Sequence, residues 1–258
     1  MVSHMRSFFL FLALPLHAQF ITPEWRGSEQ SEHAQWDSFT KAKFEPNAPD
    51  IVTDDATITC TTSSAFLTSS GNIYSFQAPT FFQLDDTTEF PIKNLFLQIS
   101  ALGSGIDLSR ARAIFEDPGG NTISLNLTRH FILSEEELGG ERGGIGTTYA
   151  LQWDLSETPI SGSYSILFNA TESSLSLDKV SLDTVATFVP VEKTKPLVIQ
   201  QNNGSITLTW LGDRELQSSH SLSENWTQVS GSAGVNTITL PISNRPTFFR
   251  LKQTSASE

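Results

Sequence analysis

Cysteine is almost missing from this chain: Cys60 is the only one in 258 residues. A single thiol cannot close an internal disulfide, so the fold must stand on its hydrophobic core. Histidine is scarce as well, and beyond residue 18 only His33, His130 and His220 remain. Zinc needs His or Cys ligands at set spacings, and these scattered residues offer none. No Gly-x-Ser-x-Gly elbow, phosphate-binding loop or dinucleotide fingerprint occurs. Basic residues are outnumbered, 16 Lys and Arg against 28 Asp and Glu, for a formal charge of −12. Such a chain repels phosphate backbones and anionic membranes, which excludes nucleic acid as an expected partner. Long apolar runs are absent too. The longest, Ser7 to Leu16, is about half of the roughly 20 residues that a spanning helix needs.

That short run has a recognisable setting. Arg6 precedes it, and Leu16-His17-Ala18 follows with a small residue at the cleavage position. These are the parts of a secretory signal peptide, so residues 1–18 are expected to be removed after Ala18. The sequence thus predicts export to the periplasm, cell surface or exterior, with no transmembrane segment in the mature chain.

Period-two alternation dominates what remains. Leu95, Leu97 and Ile99 share one face at strand spacing, as do Ile123, Leu125 and Leu127. The same holds for Tyr149, Leu151 and Trp153, and for Tyr164, Ile166 and Phe168. Turn signals separate these runs, among them "SSGN", "DPGGN" and "ELGGERGG". The pattern predicts an all-β chain with a jelly-roll-like β-sandwich over 19–190. Only "EQSEHAQWDSFT", Glu29 to Thr40, is a helix candidate. "VPVEKTKP" introduces a linker at 191–196, and a second alternating region follows at 197–253. There Asn202-Asn203-Gly204 is a strong hairpin signal, because Asn-Gly accepts positive φ at both central positions. This region is expected to form a small immunoglobulin-like or fibronectin-like β-module, ahead of a tail at 254–258.

Two stretches carry a family resemblance. "WRGSEQSEHAQWDSF" resembles an N-terminal signature of secreted planctomycete- and verrucomicrobial-type bacterial proteins, through Trp25, Arg26, Gly27, Gln35, Trp36, Asp37 and Phe39. "PNAPD", "GNIYSF", "FLQISALGSGID" and "LQWDLS" are similar to the same PEP-CTERM-associated group. The likeness implies export and a β-sandwich body. The end of the chain, "KQTSASE", lacks that group's Pro-Glu-Pro sorting tail. The second stretch, with Trp210, Leu216, Gln217, Trp226 and Phe248 to Leu251, resembles C-terminal immunoglobulin-like modules of the same bacteria.

Chemistry is harder to find. Cys60 in "ATITCTTS" shares a strand face with Ile58 and reads as a small buried hydrophobe. Glu135 to Glu137 read as a solvated loop face. Trp25, Trp36 and Phe39 are suited to clamping an N-terminal segment onto the sandwich, with Arg26 and Asp37 paired across it. Alternatively, Trp25, Trp36 and Trp153 form a platform on which sugar rings stack. "SLDKVSLDT" looks like the last strand of galactose-binding-like jelly rolls, which implies a structural calcium with Asp107 and Asp178 as candidate ligands. No other cofactor is expected. The expected function is a non-enzymatic, structural or adhesive envelope element, with envelope components as partners. The alternative is a carbohydrate-binding protein that recognises extracellular glycans. A hydrolase with an unrecognised site is the third reading.

Overall fold

The computed structural model describes residues 20–52, 55–139, 144–192, 197–202, 204–210, 214–221, 225–232, 235, 237–243, 245 and 247–253. The expected signal peptide, most of the expected linker, Asn203 and the expected tail lie outside the described residues. The chain divides into two units, 1–191 and 192–258. Both are built from strands, and no helix occurs among the described residues.

The first unit runs β1 (Ser31–Trp36), β2 (Ile51–Val52), β3 (Thr57–Cys60), β4 (Phe66–Leu67), β5 (Ile73–Tyr74), β6 (Phe81–Ile92) and β7 (Asn94–Gly103). It continues with β8 (Arg112–Glu116), β9 (Thr122–Asn126), β10 (Arg129–Glu137), β11 (Ile145–Asp154), β12 (Ile160–Asn169) and β13 (Leu175–Val185). Eight strands form one antiparallel sheet in the order β10-β11-β7-β13-β1-β2, with β5 on β13 and β4 on β5. Five form the other, in the order β3-β6-β12-β8-β9. The result is the expected β-sandwich. The alternation read from the sequence fills the space between the sheets. Leu95, Leu97, Ile99, Leu151 and Trp153 from the larger sheet meet Ile58, Leu84, Ile166 and Phe168 from the smaller one in a single buried cluster. Phe82 and Phe168 stack with centroids 5.1 Å apart. Cys60 lies fully buried in this core beside Ile58's face, and burial pushes its thiol pKa up.

The helix expected over Glu29 to Thr40 is a strand instead. Ser31 to Trp36 pair residue by residue with Val185 to Val180 of β13. Ala34 and Trp36 enter the main core, while His33 is buried on the opposite face. A strand covered on both faces loses its period-two signature, and that misled the sequence reading. Trp36 donates its indole N–H to the Asn47 carbonyl at 3.0 Å. Asn47 in turn ties the following loop: its Oδ1 accepts from the Thr40 and Lys41 amides, and its Nδ2 donates to the Lys41 and Ile58 carbonyls.

The two N-terminal tryptophans serve different cores. Trp25 packs with Phe96, Ala150, Val185 and Val191 in a second cluster, on the face of the larger sheet turned away from the sandwich interior. Ile21 is held there by a reciprocal pair, its amide to Gln98 Oε1 at 2.7 Å and Gln98 Nε2 to its carbonyl at 2.9 Å. Asn94 and Gln152 fix the Val189 carbonyl from below, at 3.0 and 2.8 Å. The chain thus covers this part of the face with its own segments. Glu135 to Glu137, expected in a loop, end strand β10 at the sheet edge, where charge blocks further strand addition.

The second unit has β14 (Val198–Asn202), β15 (Ser205–Thr209), β16 (Arg214–Ser219), β17 (Thr227–Gln228), β18 (Thr237–Pro241) and β19 (Phe248–Gln253). They make two three-stranded sheets, β14-β15-β18 and β17-β16-β19. The hairpin signal is met: Asn202 pairs with Ser205, and Gly204 takes φ +86°, a conformation costly for residues with a Cβ. Leu208, Trp210, Leu216 and Val229 form its core. Trp226 lies under the Arg250 guanidinium, 4.4 Å from the ring centroid.

Candidate functional site: a polar groove on the five-stranded sheet

The residues singled out by sequence are mostly committed to structure. Trp36 and Trp153 are completely buried, and Trp25 retains 8% exposure. A sugar must lie against an open ring face, and neither Trp36 nor Trp153 has one. Trp153 donates its N–H to the Leu125 carbonyl at 3.3 Å. Arg26 does not pair with Asp37. It grips the buried Asp183 carboxylate through both oxygens, at 2.6 and 2.8 Å, a fork geometry that favours planar guanidinium–carboxylate pairing. Asp37 lies 3.4 Å from Lys179 instead. His33 Nδ1 is 3.2 Å from Asp183 Oδ1, and the Ser181 hydroxyl reaches Asp183 at 3.5 Å. Histidine, serine and aspartate therefore meet, but the serine faces the carboxylate and not the imidazole, unlike a nucleophile–base pair.

The two candidate calcium ligands are also occupied. Asp107 accepts from the Ser109 amide and hydroxyl and lies 3.4 Å from Arg110. Asp178 accepts from Asn72 and Ser100 at 3.3 and 3.0 Å. Among the described residues, no three His, Cys, Asp or Glu side chains gather where they can hold a metal ion.

A concavity of about 890 Å³ lies elsewhere, on the outer face of the five-stranded sheet. Its floor follows from strand register. Leu84 and Asp86 of β6 point inward, so Gln83, Asp85 and Thr87 point outward. Register then carries one row across the whole sheet: Thr57 opposite Asp85, Asp85 opposite Ser165, Ser165 opposite Ile114, and Ile114 opposite Ser124. Ser163 and Thr87 form the adjacent pair, their hydroxyls 3.0 Å apart. Asp85 is the hub of this floor. It accepts from Ser165 at 2.5 Å and from Gln83 Nε2 at 2.8 and 3.0 Å. Phe81, 43% exposed, stands on the same outward face of β6.

Asp55, Asp85, Glu116 and Asp117 bring carboxylates to the lining among serine and threonine hydroxyls, Asp86 adjoins it with its carboxyl turned inward, and no Lys, Arg or His is among the described lining residues. Two of these carboxyls differ sharply in electrostatics. Burial pushes the Asp86 pKa up, against hydrogen bonds from Tyr164 and the Thr87 amide that pull it down, with nearby Asp55 raising it further. Asp117 is held below the usual range by the side chain and amide of Asn121, with the Gly119 amide adding to the effect. Its Oδ1 accepts the Gly119 and Asn121 amides at 2.8 and 2.9 Å, closing the β8–β9 turn. The "DPGGN" turn signal was legible in sequence, but its carboxylate's place on a groove rim was not.

No family model matches the chain, and no curated protein is similar to it. Among solved structures, a β-1,2-glucanase from Parabacteroides distasonis is similar at 10% identity and a TM-score of 0.28. The alignment covers 86% of this chain and 33% of that one.

Proposed function

We propose that the chain is an exported, non-catalytic β-protein of the cell envelope or exterior that holds extracellular glycan in the groove of its five-stranded sheet. The observation that carries this reading is the run Thr57, Asp85 and Ser165 with Thr87 and Ser163 beside it, a floor of short hydroxyl and carboxylate side chains on regular strands, bounded by Ile114. Rigid strands hold such groups in fixed positions, and a fixed carboxylate accepts strongly from sugar hydroxyls. The lining charge sets the class of ligand. Four carboxylates, with no Lys, Arg or His among the described lining residues, repel uronate-rich and sulfated chains and favour neutral or amine-bearing ones.

Binding fits this groove better than hydrolysis. Paired-carboxylate chemistry asks one acid to donate its proton to the leaving oxygen. Asp86, the carboxyl with the raised pKa, is buried at 4% exposure and takes hydrogen bonds from Tyr164 and Thr87. Asp85 is engaged by Ser165 and Gln83.

A glycan array followed by calorimetry tests the proposal. Saturable binding to a neutral or amine-bearing glycan is expected, lost in Asp85→Ala and without release of reducing ends. Preference for polyanionic glycans, or reducing ends appearing with turnover, overturns it.

A further inference from the structure

We infer that Phe66, Tyr74 and Phe76 form a second carbohydrate platform on the opposite side of the sandwich, so that one molecule bridges two glycan chains. The bridging role rests on the groove reading above; the platform stands on its own geometry.

The three rings touch one another. Phe66 and Phe76 stack with centroids 5.5 Å apart, and Tyr74 meets both edge-on at 5.6 and 4.5 Å. Strand alternation fixes their side. Ile73 is fully buried and Leu67 packs on the main core, so their neighbours Tyr74 and Phe66, which pair across β4 and β5, face outward. Phe66 is 39% exposed and Phe76 63%. The supporting hairpin is rigid: Thr68 and Asn72 bond through their backbones, and the Asn72 amide also donates to the Thr68 hydroxyl. Gly71 at φ +85° closes it, with Ser38 only 3.3 Å from where a Cβ would sit.

Polar groups adjoin the rings. Tyr74 lies opposite Ser176, and Asn72 Nδ2 donates to Ser176 Oγ and to Asp178 Oδ1 at 3.2 and 3.3 Å. Ser100 fixes the other Asp178 oxygen. Asn72 is buried and committed to Ser70, Ser176 and Asp178, so it positions the half-buried Asp178 carboxylate. Each oxygen of that carboxylate has a further lone pair, and an aromatic face beside it matches a pyranose, which offers C–H groups on one side and hydroxyls at its rim.

Size and edge argue against a protein occupant. A ring buries ~150–250 Å² when fully covered, so three partly exposed rings offer on the order of 300 Å². A standard protein interface takes about 800 Å² from each partner. The edge strand β4 has two residues, too short for a second copy to add a strand.

The test uses the whole chain with cello-, laminari-, manno- and chito-hexaose, followed by aromatic-ring NMR. Ring signals of Phe66, Tyr74 and Phe76 are expected to move with at least one sugar, and Phe76→Ala to abolish that response while groove binding survives. Asp85→Ala is expected to do the reverse. Either variant should weaken adhesion to the matching insoluble polysaccharide about a hundredfold, through lost avidity. Ring signals that no sugar moves, or adhesion that Phe76→Ala leaves intact, overturn the platform and leave the groove standing. Adhesion unchanged in Asp85→Ala alone overturns the groove and the bridge, and leaves the platform.

Discussion

Two outer patches of the sandwich have opposite fates, one around Phe96 and one around Asp85, while the exposed rings at the β4–β5 end of the larger sheet belong to neither. On the eight-stranded sheet, Trp25, Val185 and Val191 cover Phe96 and Ala150, and Arg26 caps a carboxylate with no exposure at all. On the five-stranded sheet, hydroxyls and carboxylates line an open concavity. A face that the chain covers with its own residues contributes to stability. A face left open and polar contributes little to it, so its side chains are free to serve recognition. Substitutions should separate these two kinds of surface by the size of their effect on folding.

The interior between the sheets sets the upper limit. Trp36→Ala removes a ring with no exposure and one of two hydrogen bonds to the Asn47 carbonyl, which keeps the Ile58 amide. A loss of about 3–5 kcal/mol is expected from large-to-small truncation, read by urea unfolding. Trp153→Ala should fall in the same range.

The covered face comes next. Arg26→Met strands Asp183 in a buried site beside His33. Breaking a buried ion pair costs about 3–5 kcal/mol. Because the Arg26 side chain keeps 20% exposure, the lower end is expected, near about 3 kcal/mol. A loss below about 1 kcal/mol would mean that the clamp is decorative and that the comparison of faces fails there.

Asp86 lies beneath the open face, its carboxyl turned inward. Burial raises its folded pKa above the unfolded value. In acid both states hold the proton. As pH rises from the ordinary carboxylate value, about 4, the unfolded chain releases the proton first, so stability falls until the folded pKa is passed. Asp86→Asn keeps an acceptor for the Tyr164 hydroxyl and should flatten this slope. Melting temperatures measured across the acid-to-neutral range give the answer, and an unchanged slope in the variant removes Asp86 as its source.

The five-stranded sheet was legible in the sequence because its strands bury one face only, as Tyr164, Ile166 and Phe168 announce by alternation. Leu95, Leu97 and Ile99 lie on a strand buried on both faces and were legible because polar Gln98 and Ser100 alternate with them. Ser31 to Trp36 were not, since both of their faces are covered and only Ala34 and Trp36 among them are apolar. The candidate sites were less visible. The groove floor takes its residues from β3, β6 and β12, and only sheet order, which depends on distant pairings, brings them together. The aromatic trio sits within "FLTSSGNIYSF", around a turn signal. Ring-rich strands look alike whether or not a second layer covers them, so exposure could not be read there. The tryptophans drew attention through size, and size is what placed them inside.

The smallest effect on folding is expected at Asp85, where the functional effect is greatest. Its carboxylate is partly exposed and bonds Ser165 and Gln83 on the open face. Asp85→Asn keeps the volume and one acceptor, so unfolding should shift by no more than about 0.5 kcal/mol, as for an ordinary surface change. Binding should respond differently. A sugar hydroxyl donating to a carboxylate contributes about 1.5–3 kcal/mol, against about 0.5–1.5 for a neutral acceptor. The difference corresponds to roughly a tenfold loss of affinity, measurable by calorimetry against the glycan found on the array. Ser165→Ala should give a smaller loss, since it only frees Asp85 to rotate. If Asp85→Asn instead destabilised the fold as Arg26→Met does, the open face would be structural after all, and the groove would be a by-product of sheet curvature.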